Sequence, residues 1–232
     1  MKTASPIVDV IIPAFNEQEA IGKVIAGIDK RLVREVVVVD NNSTDNTGIM
    51  AAKAGATVLT EKRKGYGSAC LKGIDYLSGK AVPPGIVVFI DGDYSDFPQE
   101  MEKLITPIMH QQADLVIGSR VLGNREKGAM QPQQVFGNWL ATRLVYLFYG
   151  VRFTDLGPFR AIKWQSLQQL AMRDKDYGWT VEMQLKAAKN KLACTEVAVN
   201  YRKRIGISKV SGTVKGTFMA GYKIITTIFK YL

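Results

Sequence analysis

Asp91-Gly92-Asp93 sets two carboxylates one glycine apart, directly after the apolar run 86–90 (IVVFI). Two like charges at the end of a buried strand are costly unless a cation or a hydrogen-bond network offsets them. A hard divalent ion, Mg2+ or Mn2+, takes one or two carboxylates and completes its shell with substrate phosphates. The same aspartates would also cap a helix beginning near Pro98. Two more polar clusters follow apolar runs. Pro13-Ala14-Phe15-Asn16-Glu17 closes 8–13, and Asp40-Asn41-Asn42-Ser43-Thr44-Asp45-Asn46-Thr47 closes Glu35–Asp40. Both are rich in helix-capping side chains.

The elements that must position these clusters alternate in type. Short apolar runs at 8–13, Glu35–Asp40, 56–59, 86–90 and Leu115–Ser119 read as buried strands. Helical segments separate them: 17–30, one ending near Ala54 before Gly55, one from the Gly65-Tyr66-Gly67-Ser68 loop to Leu77, and one before Leu115. Strands joined through helices of this length imply right-handed βαβ units, an α/β fold and a mostly parallel, Rossmann-like sheet flanked by helices. Ligands then bind beyond the carboxyl ends of the strands, where the polar clusters gather. The second half is less regular. A charged, Gly- and Gln-rich loop is expected at 123–134, helices at 138–149, 164–172 and 180–190, a strand at 194–201, and a closing amphipathic helix at 213–232. The domain reading is one catalytic unit over 1–212 followed by that helix.

The composition, 47% hydrophobic and 22% charged over 232 residues, excludes a disordered, collagen-like or coiled-coil chain. Cys70 and Cys194 lie far apart without metal-ligand spacing, which fits a reducing, cytoplasmic compartment. The sequence lacks a P-loop, and Gly65-Tyr66-Gly67 is not a dinucleotide fingerprint. Lys and Arg exceed Asp and Glu by 31 to 21, a net charge of +10 that favours anionic partners. No nucleic-acid motif accompanies it, so nucleic acid is not the expected partner. No apolar stretch reaches the ~20 residues of a membrane span.

In combination and order, these clusters resemble the family 2 glycosyltransferases with a GT-A fold, and the resemblance covers almost the whole chain. It implies a nucleotide-sugar donor. Pro13, Ala14, Glu17, Asp40 and the Asn42, Ser43 and Asp45 loop would hold base and ribose. Asp91, Gly92 and Asp93 would hold the ribose side and, through Mg2+ or Mn2+, the diphosphate. Ile117-Gly118-Ser119-Arg120, Thr154-Asp155-Leu156-Gly157-Pro158-Phe159-Arg160 and Tyr201-Arg202-Lys203-Arg204-Ile205-Gly206-Ile207-Ser208-Lys209 look like the polyprenyl (dolichyl) phosphate sugar transferase branch. The chain departs from that branch at Pro158, inserted in Gly-Phe-Arg, and at Ser95, where glutamine is usual.

The resemblance implies an inverting, metal-dependent transfer from a GDP- or UDP-sugar to a lipid phosphate. Such an acceptor is already anionic and needs positive charge to align it rather than a strong base. Arg120, Arg160, Arg202, Arg204 and Lys209 are the candidates, with Asp93 completing the catalytic group; a solvated basic edge is the plainer reading of Arg202 and Arg204. A saccharide-hydroxyl acceptor would instead demand a carboxylate base, for which Asp155 and Glu182 are the candidates. A non-catalytic anion- or membrane-binding homologue is the remaining alternative. Within 213–232, Lys215, Lys223 and Lys230 fall within roughly 80° of each other, beside an apolar face of Phe218, Tyr222, Ile225, Phe229 and Leu232. Such a helix suits peripheral attachment at the cytoplasmic membrane surface, or packing on the sheet.

Overall fold

The computed structural model describes residues 6–206 and 214–231, with side chains from 221 onward in the last helix. Seven strands form one sheet: β1 (Val8–Ala14), β2 (Glu35–Asp40), β3 (Thr57–Thr60), β4 (Ile86–Phe89), β5 (Leu115–Ser119), β6 (Arg160–Lys163) and β7 (Cys194–Ala198). Their order is β3-β2-β1-β4-β6-β5-β7. All neighbours are parallel except β6, which runs antiparallel between β4 and β5. The helices are α1 (Ile21–Ala26), α2 (Thr47–Lys53), α3 (Tyr66–Ser78), α4 (Met101–Met109), α5 (Pro132–Tyr149), α6 (Trp164–Leu170), α7 (Trp179–Lys189) and α8 (Val214–Lys230).

Strand alternation divides the core between the two faces of the sheet. Ile11, Val37, Val39, Val87, Phe89 and Ile117 point toward α3, α5, α6 and α7, and Phe89 meets Trp179 edge to face at 5.8 Å. Val10, Ile12, Val38, Val88 and Val116 point toward α1, α2 and α4, against Ile21, Ile25, Leu104 and Ile105. Each such aliphatic side chain, fully buried, contributes about 1.5–3 kcal/mol. Both faces are covered, as a parallel sheet requires.

The second half departs from expectation in three places. Arg160–Lys163 is a strand, not merely the approach to a helix. Helix α5 begins at Pro132, inside the expected 123–134 loop. Proline suits a first helical turn, Gln134 Oε1 accepts from the Gln131 amide at 2.8 Å, and Gly150 ends the helix at φ +70°. The last strand stops at Ala198, and Tyr201 instead bridges Asp96 and Arg125. Nearer the amino terminus, the regular helix within 17–30 is only Ile21–Ala26.

Helix α8 packs on the molecule. Ile228 is fully buried, Tyr149 donates from its hydroxyl to the Ile228 carbonyl at 3.0 Å, and Lys223 pairs with Asp174 at 3.2 Å. Tyr222 and Phe229 remain 60% and 53% exposed. Lys209 and the 212/213 boundary lie outside the described residues, as do the side chains of Lys215 and Phe218. No helix among the described residues is long and apolar enough to cross a membrane.

Candidate active site

Strands β1 and β4 end side by side, and their carboxyl ends open a cavity of about 310 Å³. Pro13, Ala14, Glu17, Asp91, Gly92 and Asp93 line it, with Phe15, Asn41, Lys64, Tyr66, Tyr177 and Arg204. A second cavity of about 300 Å³ shares Tyr66, Asp91, Asp93, Tyr177 and Arg204 with the first and adds Arg120, Asn138 and Tyr201. The two are halves of one cleft, with Asp91 and Asp93 at the divide.

The Asp40–Thr47 loop builds the cleft from behind. Asp40 accepts from the Ser43 amide at 2.9 Å. Burial would raise the Asp45 carboxyl, but it accepts from the Thr47 hydroxyl and from the amides of Thr47 (2.9 Å) and Gln18 (3.3 Å), which together hold it below the usual range. Ser43 Oγ accepts from the Asn16 amide at 3.0 Å, and Asn42 is exposed at φ +63°. None of these four lines the cavity. The residue of that cluster that does is Asn41, whose amide donates to the Arg63 carbonyl at 2.6 Å and accepts from Gly65 at 2.8 Å. It ties the 61–65 loop, with Lys64 placed 5.1 Å from the Phe15 ring, to the cleft.

Glycine is required where α3 begins. Gly65 has φ +139°, and a Cβ on Gly65 or Gly67 would sit 2.1 Å from the carbonyl oxygen of Lys175 or Asp174. This close approach lets the Ser68 amide donate to the Lys175 carbonyl at 2.9 Å and brings Tyr177 over the cleft. The sequence reading passed over Asn41, Tyr66 and Tyr177; the Gly65-Tyr66-Gly67 spacing was the available signal.

The carboxylate pair is electrostatically strained. Burial of Asp91 Oδ1, and then the charge of Asp93, push the Asp91 carboxyl up to about 7. The Tyr66 hydroxyl lies near enough to oppose this, yet Asp91 Oδ1 receives no well-formed hydrogen bond. Asp93 accepts from the Ser95 amide at 2.9 Å and from its hydroxyl at 2.5 Å. Arg204 bridges Asp93 at 3.2 Å and Glu17 at 2.5 Å. An orphaned acidic oxygen beside a second carboxylate fits a divalent cation. No cluster of three or more such ligands occurs among the described residues, so phosphate oxygens and water would complete the shell.

The expected phosphate-binding arginines separate into different roles. Arg120 reaches the cleft while gripping Asp155 through its backbone amide, Nε and Nη2 at 2.7–2.8 Å. Arg204 lines both halves. Arg202 turns away: it stacks 3.5 Å from the centre of the Tyr94 ring and donates to the carbonyls of Tyr94 and Asp96. Arg160 is fully buried, donating to the carbonyls of Leu156, Gly157 and Thr180, and burial lowers its proton affinity to about 10. Its strand buries the guanidinium inside the protein rather than offering it to an acceptor.

Asp155 and Glu182, the candidate bases, line neither half of the cleft. Glu182 is buried and accepts from the amides of Arg173 and Asp174, from Lys186 at 2.9 Å and from the Tyr231 hydroxyl at 2.5 Å. Burial alone would raise its proton affinity; these partners outweigh it and hold it below the ordinary value. Its contribution to stability is therefore complete above the ordinary glutamate range and lost as pH falls through the lowered folded value. Glu182→Gln is expected to lower stability by about 1–3 kcal/mol at neutral pH. In thermal melts the gap from the native protein should close below about pH 4; a gap independent of pH would contradict the assignment.

The glycosyl transferase family 2 model matches residues 9–171, and the chain belongs to that family. An uncharacterized glycosyltransferase of Mycobacterium tuberculosis is 34% identical over 221 residues, covering 94% of this chain and 95% of that protein. An undecaprenyl-phosphate mannosyltransferase of Micrococcus luteus is 28% identical over 218 residues, 89% of this chain and 88% of the relative. Among solved structures, the glucosyl-3-phosphoglycerate synthase of Mycobacterium tuberculosis in complex with Mn2+, UDP-glucose and phosphoglyceric acid superposes with a TM-score of 0.77 at 23% identity, over 98% of this chain and 80% of that one. The fold is the GT-A glycosyltransferase architecture, and the protein is a nucleotide-sugar-dependent glycosyltransferase.

Proposed function

We propose that this enzyme transfers a sugar from a nucleotide-sugar donor to a polyprenyl phosphate at a membrane surface, with inversion and with a divalent cation. The observation that carries the reading is the acceptor half of the cleft. Arg120 and Arg204 line it; the carboxylates that line it are Asp91 and Asp93, which would be taken by the cation, and neither Asp155 nor Glu182 reaches it. A hydroxyl nucleophile needs a base to take its proton, whereas a phosphate oxygen arrives deprotonated and needs only alignment. Guanidinium groups suit that task because their planar forks match phosphate oxygens. In the donor half, Asp91 and Asp93 would hold Mg2+ or Mn2+, which supplies charge neutralisation at the diphosphate leaving group. The side chains of Pro13, Phe15 and Asn41 shape the nucleoside end, and Lys64 adds positive charge beside it.

Membrane attachment follows from surface chemistry rather than from a span. Phe136 and Leu147 on α5 are 61% and 72% exposed, and the Phe148 ring meets Phe229 of α8 at 5.6 Å. The two helices thus present a joined apolar edge of the kind that seats a protein in a lipid interface. We place the enzyme at the cytoplasmic surface of the membrane; the undecaprenyl phosphate in the name of the Micrococcus luteus relative supports a lipid surface.

Arg204→Gln tests the acceptor assignment. Acceptor kcat/KM is expected to fall about 10–100-fold, with the nucleotide Kd changed only a few-fold in titration calorimetry. Equal losses in both quantities would move Arg204 to the donor alone.

A further inference from the structure

The segment 173–178 joins α6 to α7 and reaches the divide of the cleft at Tyr177. On one side it is held by the start of α3: the Ser68 amide and hydroxyl both donate to the Lys175 carbonyl, at 2.9 and 3.2 Å. On the other side it is held by α8. Lys223 Nζ lies 3.2 Å from Asp174 Oδ2, and a Cβ on Gly178 would sit 2.6 Å from the Thr227 hydroxyl. Tyr231, directly after α8, donates to Glu182, which also accepts from the amides of Arg173 at 3.0 Å and Asp174 at 2.7 Å. Gly221 and Ile224 of the same helix line the acceptor half. The last helix is thus a wall of the cleft as well as part of the outer surface. Tyr177 is the side chain that the segment carries into the cleft. It lines both halves, is 37% exposed, and has no side-chain hydrogen bond or ring pairing among the described residues.

We propose that Lys223 is a positioning residue for the donor: by pairing with Asp174 it holds Tyr177 against the transferred sugar. The proposal rests on the donor reading of the cleft above and not on the choice of acceptor. With the diphosphate held beside Asp91 and Asp93, the sugar beyond it falls at the divide, where Tyr177 lines both halves. A tyrosine suits a sugar, because its ring packs on C–H groups while its hydroxyl bonds to other hydroxyls. The Asp174 side chain is only 9% exposed, and Lys223 is its one ion-pair partner among the described residues. A carboxylate so placed depends on its counter-charge. Without the lysine it would draw the segment toward water, and Tyr177 with it. Asp174 Oδ1 also accepts from the Asp176 amide at 2.8 Å, so the shift would pass to the residue directly before Tyr177.

The test is calorimetric titration of the full chain in Mn2+ with UDP against UDP-glucose and with GDP against GDP-mannose. Within a pair, the Kd of the sugar nucleotide divided by that of the nucleoside diphosphate reads the sugar contact alone. Tyr177→Ala should raise this ratio by about fivefold or more, as the loss of one polar contact does. Lys223→Met should raise it by about threefold. The Tyr177→Ala/Lys223→Met pair should rise no further than Tyr177→Ala alone, because the lysine acts through the tyrosine. Lys230→Met, the same change at an exposed site on the same helix, should keep the native ratio. A partly exposed ion pair contributes little to stability, so Lys223→Met should melt close to the native protein. Additive losses in the pair, or a native ratio in Lys223→Met, would overturn the proposal while leaving the donor reading in place. Absence of Mn2+-dependent binding by either nucleotide would overturn the donor reading and the proposal together. No acceptor is present, so neither result bears on the lipid phosphate.

Discussion

Replacing Asp93 by alanine is expected to lower kcat/KM by about 10³-fold, equivalent to about 4 kcal/mol of transition-state stabilisation. Asp93 is one of the two carboxylates at the divide of the cleft, and its partner Asp91 is already pushed up to about 7 by burial and by Asp93 itself. With Asp93 gone, Asp91 alone faces the cation, and the leaving diphosphate loses its fixed counter-charge. The fold should survive. The lost contacts to Ser95 cost about 1 kcal/mol each, while removal of a like charge beside Asp91 acts in the opposite direction. Turnover with Mn2+ and a thermal melt of the same preparation separate the two effects. Native-level turnover by this variant in excess EDTA would remove the metal from the account.

Asp155→Ala should produce the largest loss of stability, about 3–5 kcal/mol, because it leaves the Arg120 guanidinium without its partner. Asp155 is fully buried, and the side chain of Arg120 is only 11% exposed. The pair joins the end of β5 to the 154–157 segment, and the Asp155 carbonyl also accepts from Gln184 at 2.9 Å. A base and an anchor predict different results at this position. A base would be lost with the melting temperature intact, whereas an anchor lowers the melting temperature first. Chemical denaturation of the variant decides between them.

The parts of the molecule legible in the sequence are those where one physical signal dominates. Short valine-rich runs such as that in EVVVVD mark buried strands by their length and β-branched side chains, and Glu35–Asp40 and Leu115–Ser119 fall as expected. The DGD pair was legible because charge at the end of such a run demands compensation. Strand β6 was not: its four residues, RAIK, begin with an arginine whose burial depends on carbonyls contributed by 156–157 and by Thr180. Local sequence carries no record of those partners. The same limit explains the basic group. Composition marks Arg120, Arg160, Arg202 and Arg204 alike, but only tertiary packing places two in the cleft, one against Tyr94 and one in the interior. Asn41 stood in a run of equivalent polar residues, and its distinction lies in meeting the 61–65 loop, 20 to 24 positions along the chain.

We propose transfer of sugar to a lipid phosphate in a cleft whose acceptor-half carboxylates, Asp91 and Asp93, are committed to the cation. It is tested most directly by incubating the protein with Mn2+ and a panel of radiolabelled GDP- and UDP-sugars. Polyprenyl phosphate is offered in one set of reactions, and the corresponding polyprenol or a free saccharide in another. Label is expected in the organic phase with polyprenyl phosphate alone, abolished by EDTA and by Asp93→Ala. Transfer to the polyprenol or the saccharide, with none to polyprenyl phosphate, would contradict it.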